Sequence, residues 1–315
     1  MPIPSPFRKS RAVPTETSSA DVPLLPANWP NRQYSSLVTA GGLRWHVQSM
    51  GAGPVCLLLH GTGASTHSFR DFAPALAHRF KVVAFDLPGH GFTQTPPSDG
   101  MTLPGMSALI GKLLAALDLK PALAAGHSAG AAVLARLALD GRLAAPLIVS
   151  LNGALQPYPG HARTLFPALA RLMFLNPIVP KVFAWRAQNQ SAVDAVIGNT
   201  GSKIDRAGLG QYGQLFRNPA HIAATLRMMA NWDLDGLERD LPKLKAHLVL
   251  VATAGDIAIP AERAFEVRDR VPGSKVVYLR ELGHLAHEER PQQIADIVFA
   301  EAEATGILTR QTVHP

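Results

Sequence analysis

The sequence predicts an α/β fold in which helices cover both faces of an eight-stranded, mostly parallel sheet. From residue 55 onward, short apolar segments typical of buried strands alternate with longer segments of helical periodicity. Before them, two strand-like segments joined at Gly41-Gly42 predict a hairpin that extends the sheet. The alternation stops between residues 152 and 240, a gap too long for a loop. This gap indicates a helical cap inserted after the sixth strand.

Outside that insertion the predicted elements follow one another regularly. Apolar strands that alternate with helices are buried on both faces, as in parallel sheets. Strands are expected at 34–39, 43–48, 55–59, 81–86, 121–126, 146–151, 247–253 and 275–279. Helices are expected near 67–78, 103–118, 129–140, 260–270 and 291–304, and in the cap over 165–184 and 221–232.

The chain divides into three predicted regions. Residues 1–28 are rich in proline and lack an apolar run that could form a signal-peptide core, so we expect a disordered N-terminal arm. Residues 29–152 and 241–315 are expected to form the α/β core. Residues 153–240 are expected to form the helical cap.

Composition narrows the possible functions. The formal net charge is +7, but basic residues are scattered apart from the run at 8–11, so we expect no nucleic-acid binding and at most peripheral contact with anionic membranes. The single cysteine, Cys56, cannot form an intramolecular disulfide, which fits a cytoplasmic protein. No His, Cys or carboxylate pair has metal-ligand spacing, so we expect neither a metal nor a cofactor.

The most informative motif is Gly126-His127-Ser128-Ala129-Gly130, which lies between an apolar strand and an Ala-rich helical segment. A G-x-S-x-G pattern in this position is typical of a nucleophile elbow. The serine sits in a tight, strained turn, and the flanking positions leave no room for larger side chains. Ser128 is therefore the predicted nucleophile.

A second small-residue motif, His60-Gly61-Thr62-Gly63, ends the strand at 55–59. Backbone N–H groups in such a loop can face a reacting carbonyl. We therefore expect the N–H groups of Thr62 and Ala129 to form an oxyanion hole. His60 and His127 are expected to be hydrogen-bonded core groups that support this region.

Two later residues complete a predicted catalytic triad. Asp256 follows the strand at 247–253, and His284 follows the strand at 275–279. The chain order Ser, Asp, His is the order this elbow requires. Asp256 has an alternative role as a helix cap. Rival candidates are Asp233 and Asp235 for the acid, and for the base His287, which lies where the last helix is expected to begin.

The apolar segment at the start of the cap has two interpretations. Its side chains either pack onto the core or line an apolar chamber above Ser128 that selects the substrate. No charged residue is obviously placed to anchor a carboxylate or phosphate, so the expected substrate is bulky and apolar. The candidate chamber residues are Phe166, Leu169, Met173, Phe174 and Trp185.

The motifs resemble those of the α/β-hydrolase superfamily over residues 32–305. Several stretches are similar to the magnesium-chelatase accessory hydrolases of bacteriochlorophyll biosynthesis. The most particular of these stretches is Gly-Leu-Arg-Trp-His-Val-Gln at 42–48. The others are Trp-Pro-Asn-Arg at 29–32, the region 57–70 with Gly-Thr-Gly-Ala-Ser-Thr-His, and Asp-Leu-Pro-Gly-His-Gly-Phe-Thr at 86–93.

That resemblance implies a role in photosynthesis, beside Mg²⁺ insertion into protoporphyrin IX. The implied partners are a tetrapyrrole and magnesium chelatase, and the implied location is the cytoplasm or the periphery of the inner or photosynthetic membrane. Three functions stay open. The chain is a serine hydrolase of a bulky apolar ester, a non-catalytic protein that binds a tetrapyrrole or assists the chelatase, or a general carboxylesterase. Fold alone does not separate them.

Overall fold

The computed structural model describes residues 25–157, 160 and 162–310 of the 315, and these residues have the predicted α/β architecture. Every predicted strand is present, and no strand end is shifted by more than two residues. The eight strands are β1 (Ser35–Ala40), β2 (Leu43–Met50), β3 (Val55–Leu59), β4 (Lys81–Phe85), β5 (Leu123–His127), β6 (Leu147–Leu151), β7 (His247–Thr253) and β8 (Lys275–Leu279).

The strands form one sheet in the order β1-β2-β4-β3-β5-β6-β7-β8. The β1–β2 and β2–β4 pairs are antiparallel, and every pair from β4 to β8 is parallel. Because β3, β5, β6, β7 and β8 are parallel neighbours, their carboxyl ends lie along the same edge of the sheet. Loops at that edge are where open α/β sheets bind ligands.

Helices lie on both faces of the sheet and in the segment between β6 and β7. Among the described residues, no helix is long and apolar enough to cross a bilayer. The helices are α1 (Phe72–Ala77), α2 (Leu103–Ala116), α3 (Ala129–Leu139), α4 (Ala162–Leu175), α5 (Val179–Arg186), α6 (Gln190–Gly198), α7 (Arg206–Phe216), α8 (Pro219–Ala230), α9 (Asp235–Asp240), α10 (Glu262–Arg270), α11 (Ala286–Glu289) and α12 (Pro291–Ala304).

Strand β3 shows how the core is built on both faces. Leu57 and Leu59 join the apolar layer formed with α2 and α3. Cys56 and Leu58, which point the other way along the same strand, join the layer formed with α1 and α12. Successive side chains of a strand alternate between faces, so a continuous apolar run fits a strand buried on both sides.

The cap differs from its prediction in one instructive way. The helical pattern expected over 165–184 is two helices, α4 and α5, separated by Asn176, Pro177 and Ile178. Proline disfavours the helical conformation in the residue before it, which explains the break. Both helices pack against α8.

Order begins earlier than the sequence predicts. Most of the expected arm, residues 1–24, lies outside the described residues. Leu25, which we expected in that arm, is buried beside Trp29 and Leu215 of α7. The expected boundary at residue 28 is therefore too late, because an isolated leucine among prolines gives no periodic signal of its burial.

Candidate active site

The predicted catalytic and oxyanion-hole residues meet at the carboxyl edge of the sheet. Thr62 follows β3, Ser128 follows β5, Asp256 follows β7 and His284 follows β8. The structure therefore brings together side chains that are up to 222 residues apart in the chain. The topology alone places them on one side of the molecule, under the cap.

Ser128 occupies a strained turn between β5 and α3. Its backbone has φ 51° and ψ −119°, a conformation that non-glycine residues rarely adopt. A Cβ atom at Gly126 would lie 2.6 Å from the backbone nitrogen of Ala131, and one at Gly130 would lie 2.2 Å from the carbonyl oxygen of Leu59. Both flanking glycines are therefore required by close backbone contacts, and Ser128 itself stays partly exposed.

Asp256 and His284 are hydrogen-bonded to each other. The Nδ1 atom of His284 lies 2.8 Å from Oδ2 of Asp256, and both residues are buried. The other oxygen, Oδ1, accepts hydrogen bonds from the backbone N–H groups of Ala258 and Ile259. An ionised carboxylate only accepts, so His284 carries its proton on Nδ1 and leaves Nε2 free to receive one.

Asn152 is a neighbour of this pair that sequence analysis did not identify. It follows β6 in the left-handed conformation, with φ 48°. Its Nδ2 donates to Oδ2 of Asp256 at 2.9 Å and to Oγ1 of Thr253 at 2.7 Å. Its position between the elbow and the acid, at the end of a predicted strand, is the signal that would have pointed to it.

His60 orients one of the two expected oxyanion donors. Its Nδ1 lies 2.8 Å from the carbonyl oxygen of Gly61, and its Nε2 accepts from the N–H of Leu87. The carbonyl of Gly61 and the N–H of Thr62 belong to the same planar peptide, so this contact fixes the direction of the Thr62 N–H. Burial lowers the pKa of His60, which keeps the ring neutral.

The second expected oxyanion donor lies at the start of a helix. Ala129 is the first residue of α3, and N–H groups in a first turn have no acceptor within the helix. The N–H of Ala129 and that of Thr62 lie just after the ends of neighbouring strands, because β3 and β5 pair in parallel. The positive end of the α3 dipole also favours negative charge at this point.

His127 supports the base from behind the elbow. Its Nε2 donates to the backbone carbonyl of His284 at 3.0 Å, and the two imidazole rings lie 4.6 Å apart. Burial is the main cause that holds the pKa of His127 well below its ordinary value, so the ring stays neutral. His127 therefore fixes the backbone of His284, the predicted base.

A cap loop between α6 and α7 also holds the acid and base loops. The carbonyl of Thr200 accepts from the N–H groups of Ile257, at 3.2 Å, and His284, at 3.4 Å. Ser202 accepts from the N–H of Leu285 at 2.8 Å. A Cβ atom on Gly201 would lie 1.8 Å from the carbonyl oxygen of Gly255, so only glycine fits this close approach. Sequence analysis missed this contact.

A buried polar cluster lies beyond the base, and we call it the Arg70 cluster. Its centre is the carboxylate of Glu288 in α11, which accepts hydrogen bonds from Arg70, Ser68 and Tyr212 of α7. His287 contacts Ser68 through Nε2 at 2.9 Å. His287 and Glu288 lie in the separate helix α11. We had expected His287 at the start of the last helix, and that expectation is wrong.

Two of the expected chamber residues, Leu169 and Trp185, face away from the core. Trp185 is 73% exposed and Leu169 is 49% exposed, while Met173 is half-buried. The side chains of Phe166 and Phe174 lie outside the described residues. The expectation fails for Leu169 and Trp185 because α8 lies between their helices and the core. A helical period shows that a face is apolar but not what covers it.

The inner face of α8 instead approaches the loop formed by residues 60–63, which we call the oxyanion loop. Met228 contacts the hydroxyl of Thr62, with 3.9 Å between Sδ and Oγ1. His221 donates through Nε2 to the carbonyl of Gly63 at 3.0 Å, and its Nδ1 accepts from the N–H of Gly91 at 3.1 Å. Spacings of four and three residues place His221, Thr225 and Met228 on one helical face.

The alternative acids lie elsewhere. Asp233 and Asp235 are exposed residues at the start of α9, where Asp233 accepts the N–H of Asp235. Among the described residues, no group of three His, Cys, Asp or Glu side chains is arranged to hold a metal ion. The candidate catalytic groups at this edge of the sheet are Ser128, Asp256, His284 and the two backbone donors.

Comparison with known proteins agrees with this architecture. The Alpha/beta hydrolase family matches residues 56–297. A relative named magnesium-chelatase 30 kDa subunit, from Rhodobacter capsulatus, is 39% identical over 283 residues, which is 87% of this chain and 96% of that protein.

Solved structures share the fold. An α/β hydrolase fold protein from Burkholderia ambifaria is 25% identical with a TM-score of 0.71, over 85% of this chain and 97% of its own. An esterase from Exiguobacterium antarcticum is 15% identical with a TM-score of 0.69, over 85% and 99%, and shows the fold alone. The chain belongs to the α/β hydrolase family and is similar over most of its length to a protein named as a magnesium-chelatase subunit.

Proposed function

We propose that this protein is a serine hydrolase of a bulky apolar ester and an accessory to magnesium chelatase in bacteriochlorophyll biosynthesis. The observation that carries the catalytic part is the 2.8 Å hydrogen bond between Asp256 and His284, at the same sheet edge as the strained Ser128 turn. A protein that only binds a ligand has no need of a serine held in this conformation, whose strain is about 1–3 kcal/mol.

The proposed reaction uses His284 as the group that accepts and returns a proton. His284 Nε2 takes the hydroxyl proton of Ser128 as Oγ attacks the ester carbonyl carbon. The N–H groups of Thr62 and Ala129 stabilise the negative oxygen of the tetrahedral intermediate. His284 then returns the proton to the leaving alcohol, which gives an acyl-enzyme. Water, deprotonated by His284, attacks the acyl carbon, and Ser128 leaves with the proton.

The neutral surroundings of the oxyanion loop support an apolar substrate. A Cβ atom at Gly63 would lie near Thr225 and Phe216, and Met228 contacts Thr62. These side chains carry no charge that could anchor a phosphate or carboxylate. The chelatase part of the proposal rests on the name of the Rhodobacter capsulatus relative. It makes a tetrapyrrole or its ester the first ligand to test, with the protein in the cytoplasm or at the membrane surface.

The nucleophile can be tested with a fluorophosphonate probe, which forms a covalent bond only with an activated serine. We expect the probe to label the wild-type protein and to fail on Ser128→Ala and His284→Ala, because triad members act as a unit. The control is Ser36→Ala, a serine of β1 at the far edge of the sheet, which should label normally. Unchanged labelling of Ser128→Ala would remove the catalytic proposal.

The ligand can be tested by titration with protoporphyrin IX, its magnesium complex and its monomethyl ester. We expect a saturable shift of the Soret band, and hydrolysis of the ester that Ser128→Ala abolishes. Saturable binding without turnover, retained in Ser128→Ala, would instead make the chain a binding or chelatase-assisting protein. Cleavage of simple acyl esters with no tetrapyrrole binding would leave a general carboxylesterase.

A further inference from the structure

Two cap helices expose large apolar side chains at helical spacing. Leu165, Leu169 and Leu172 lie on one side of α4, since spacings of four and three residues keep them on one face. The same spacing relates Ile178, Val182 and Trp185 at the start of α5 and along it. All six are at least 44% exposed, and Trp185 reaches 73%. We call these six residues the outer cap face.

The described side chains that these two helices bury are small. Of the side chains described in α4 and α5, the buried ones are Ala170, Pro180 and Ala184. A helix of a water-soluble domain ordinarily turns its large apolar residues inward. Contiguous exposed apolar surface on a folded protein marks a site of contact with another protein or a membrane.

The charges around the outer cap face indicate which partner it fits. No Asp or Glu occurs between Asp140 and Asp194. Within the same helices Arg171, Lys181 and Arg186 are exposed. A second copy of this chain would bring these cations against one another. A bilayer with anionic headgroups offers negative charge and an apolar interior together.

We propose that the outer cap face binds the surface of membranes that contain anionic lipids. Helices α4 and α5 would lie in the plane of the interface, with the leucines and Trp185 at the boundary of the acyl chains and the cations among the headgroups. The other side of α8 faces the oxyanion loop, so an apolar compound dissolved in the bilayer would lie one helix layer away from the site. This binding does not depend on hydrolysis by Ser128.

The test is co-sedimentation with vesicles of phosphatidylcholine alone or with phosphatidylglycerol added. We expect the full-length protein to sediment with the anionic vesicles, less so as salt is raised. The double substitution Leu172→Gln with Trp185→Gln should lower the partition coefficient at least tenfold. Lys181→Gln should lower it about fivefold. The matched control is Tyr278→Gln, which removes a 46%-exposed apolar side chain from β8 and should bind as the wild type does.

Trp185 gives a second readout because the other tryptophans are less exposed. Trp29 and Trp45 are buried and Trp232 is half-buried. Vesicle binding should therefore shift the emission of Trp185 to shorter wavelength, and Trp185→Phe should lose the shift while still sedimenting. Ser128→Ala should bind normally, which separates this proposal from the hydrolase proposal.

Three results would overturn the proposal. The first is no sedimentation of the wild type with anionic vesicles. The second is an equal loss in Tyr278→Gln and in the Leu172/Trp185 double variant, measured on variants whose circular dichroism matches the wild type. The third is concentration-dependent dimerisation that Leu172→Gln abolishes, without vesicle binding, since it would assign this face to contact between copies.

Discussion

The inner and outer halves of the cap are held in different ways. The inner half, α7 and α8, is attached to the core by directional polar contacts: Asp205 and Tyr212 reach the Arg70 cluster, and His221 bridges two core loops. The outer half, α4 and α5, packs against α8, and its described buried side chains are small while the six residues of the outer cap face are exposed.

The difference reflects what each half must do in the proposed function. Apolar burial is non-directional, whereas hydrogen bonds fix both distance and orientation. The loops that present Thr62 and His284 need fixed orientation, because donors and base act only within about 3 Å of the reacting atoms. A surface that lies on a bilayer needs exposed apolar area and charge instead.

The largest expected contrast is between Arg70, a core residue that holds the inner half, and an arginine of the outer half. The Arg70 side chain is 6% exposed and pairs with the fully buried carboxylate of Glu288. Arg70→Met should lower the free energy of unfolding by about 3–5 kcal/mol, because it leaves a buried charge without its partner. Arg171→Met, at an exposed position of α4, should change it by less than about 0.5 kcal/mol. Urea denaturation measures the free energy of unfolding of both variants.

A milder variant keeps this comparison testable if Arg70→Met does not fold. Tyr212→Phe removes only the hydroxyl that donates to Glu288 at 2.7 Å. It should cost about 1–3 kcal/mol, the range for removing a hydrogen bond to a buried charged group. Equal stability of Tyr212→Phe and the wild type would mean that the Arg70 cluster does not hold the inner cap.

Local patterns were enough to predict the sheet and the candidate catalytic residues. The elbow around Ser128 is a motif of five consecutive residues, and Asp256 and His284 each follow a strand of clear apolar pattern. Once the parallel sheet is inferred, strand ends must share an edge. The predictions therefore needed only local sequence and one rule of topology.

The missed contacts join distant segments through single polar atoms. Arg70 and Glu288 are 218 residues apart, and each is an ordinary charged residue in the sequence. Thr200 and Ser202 bind through loop atoms that no periodicity describes. Leu169 and Trp185 were assigned to a chamber because an apolar face predicts contact, without saying whether the partner is protein, ligand or lipid.

Acid should weaken the attachment of the inner half in part through His221. Burial lowers the pKa of His221 to about 4 from an ordinary 6.5, and protonation of Nδ1 would break its bond with the N–H of Gly91. Between pH 4 and pH 6.5, His221 is protonated in the unfolded chain and neutral in the folded chain. Stability is thus fully present above pH 6.5 and falls as pH drops toward 4, by up to about 3 kcal/mol for this residue.

Urea titrations at several pH values measure how steeply the free energy of unfolding changes with pH, which we call the slope. His221→Gln should be less stable than the wild type at pH 7. Its free energy of unfolding should also fall less than that of the wild type as the pH is lowered. The control is His78→Gln, an exposed histidine at the end of α1, which should keep the wild-type slope. A slope unchanged in His221→Gln would show that the bridge of α8 does not sense pH in this range.

The smallest expected effect on stability is at the outer half, and it sharpens the comparison most. Leu172 is 68% exposed, so Leu172→Gln removes little buried area and keeps a residue of good helix propensity. The free energy of unfolding should change by less than about 0.5 kcal/mol. A loss of 2 kcal/mol or more, the cost of truncating a core leucine, would place Leu172 in a packed interface within the chain. It would then remove the main reason for assigning the outer cap face to an external surface, since a leucine that stabilises the fold needs no lipid to explain it.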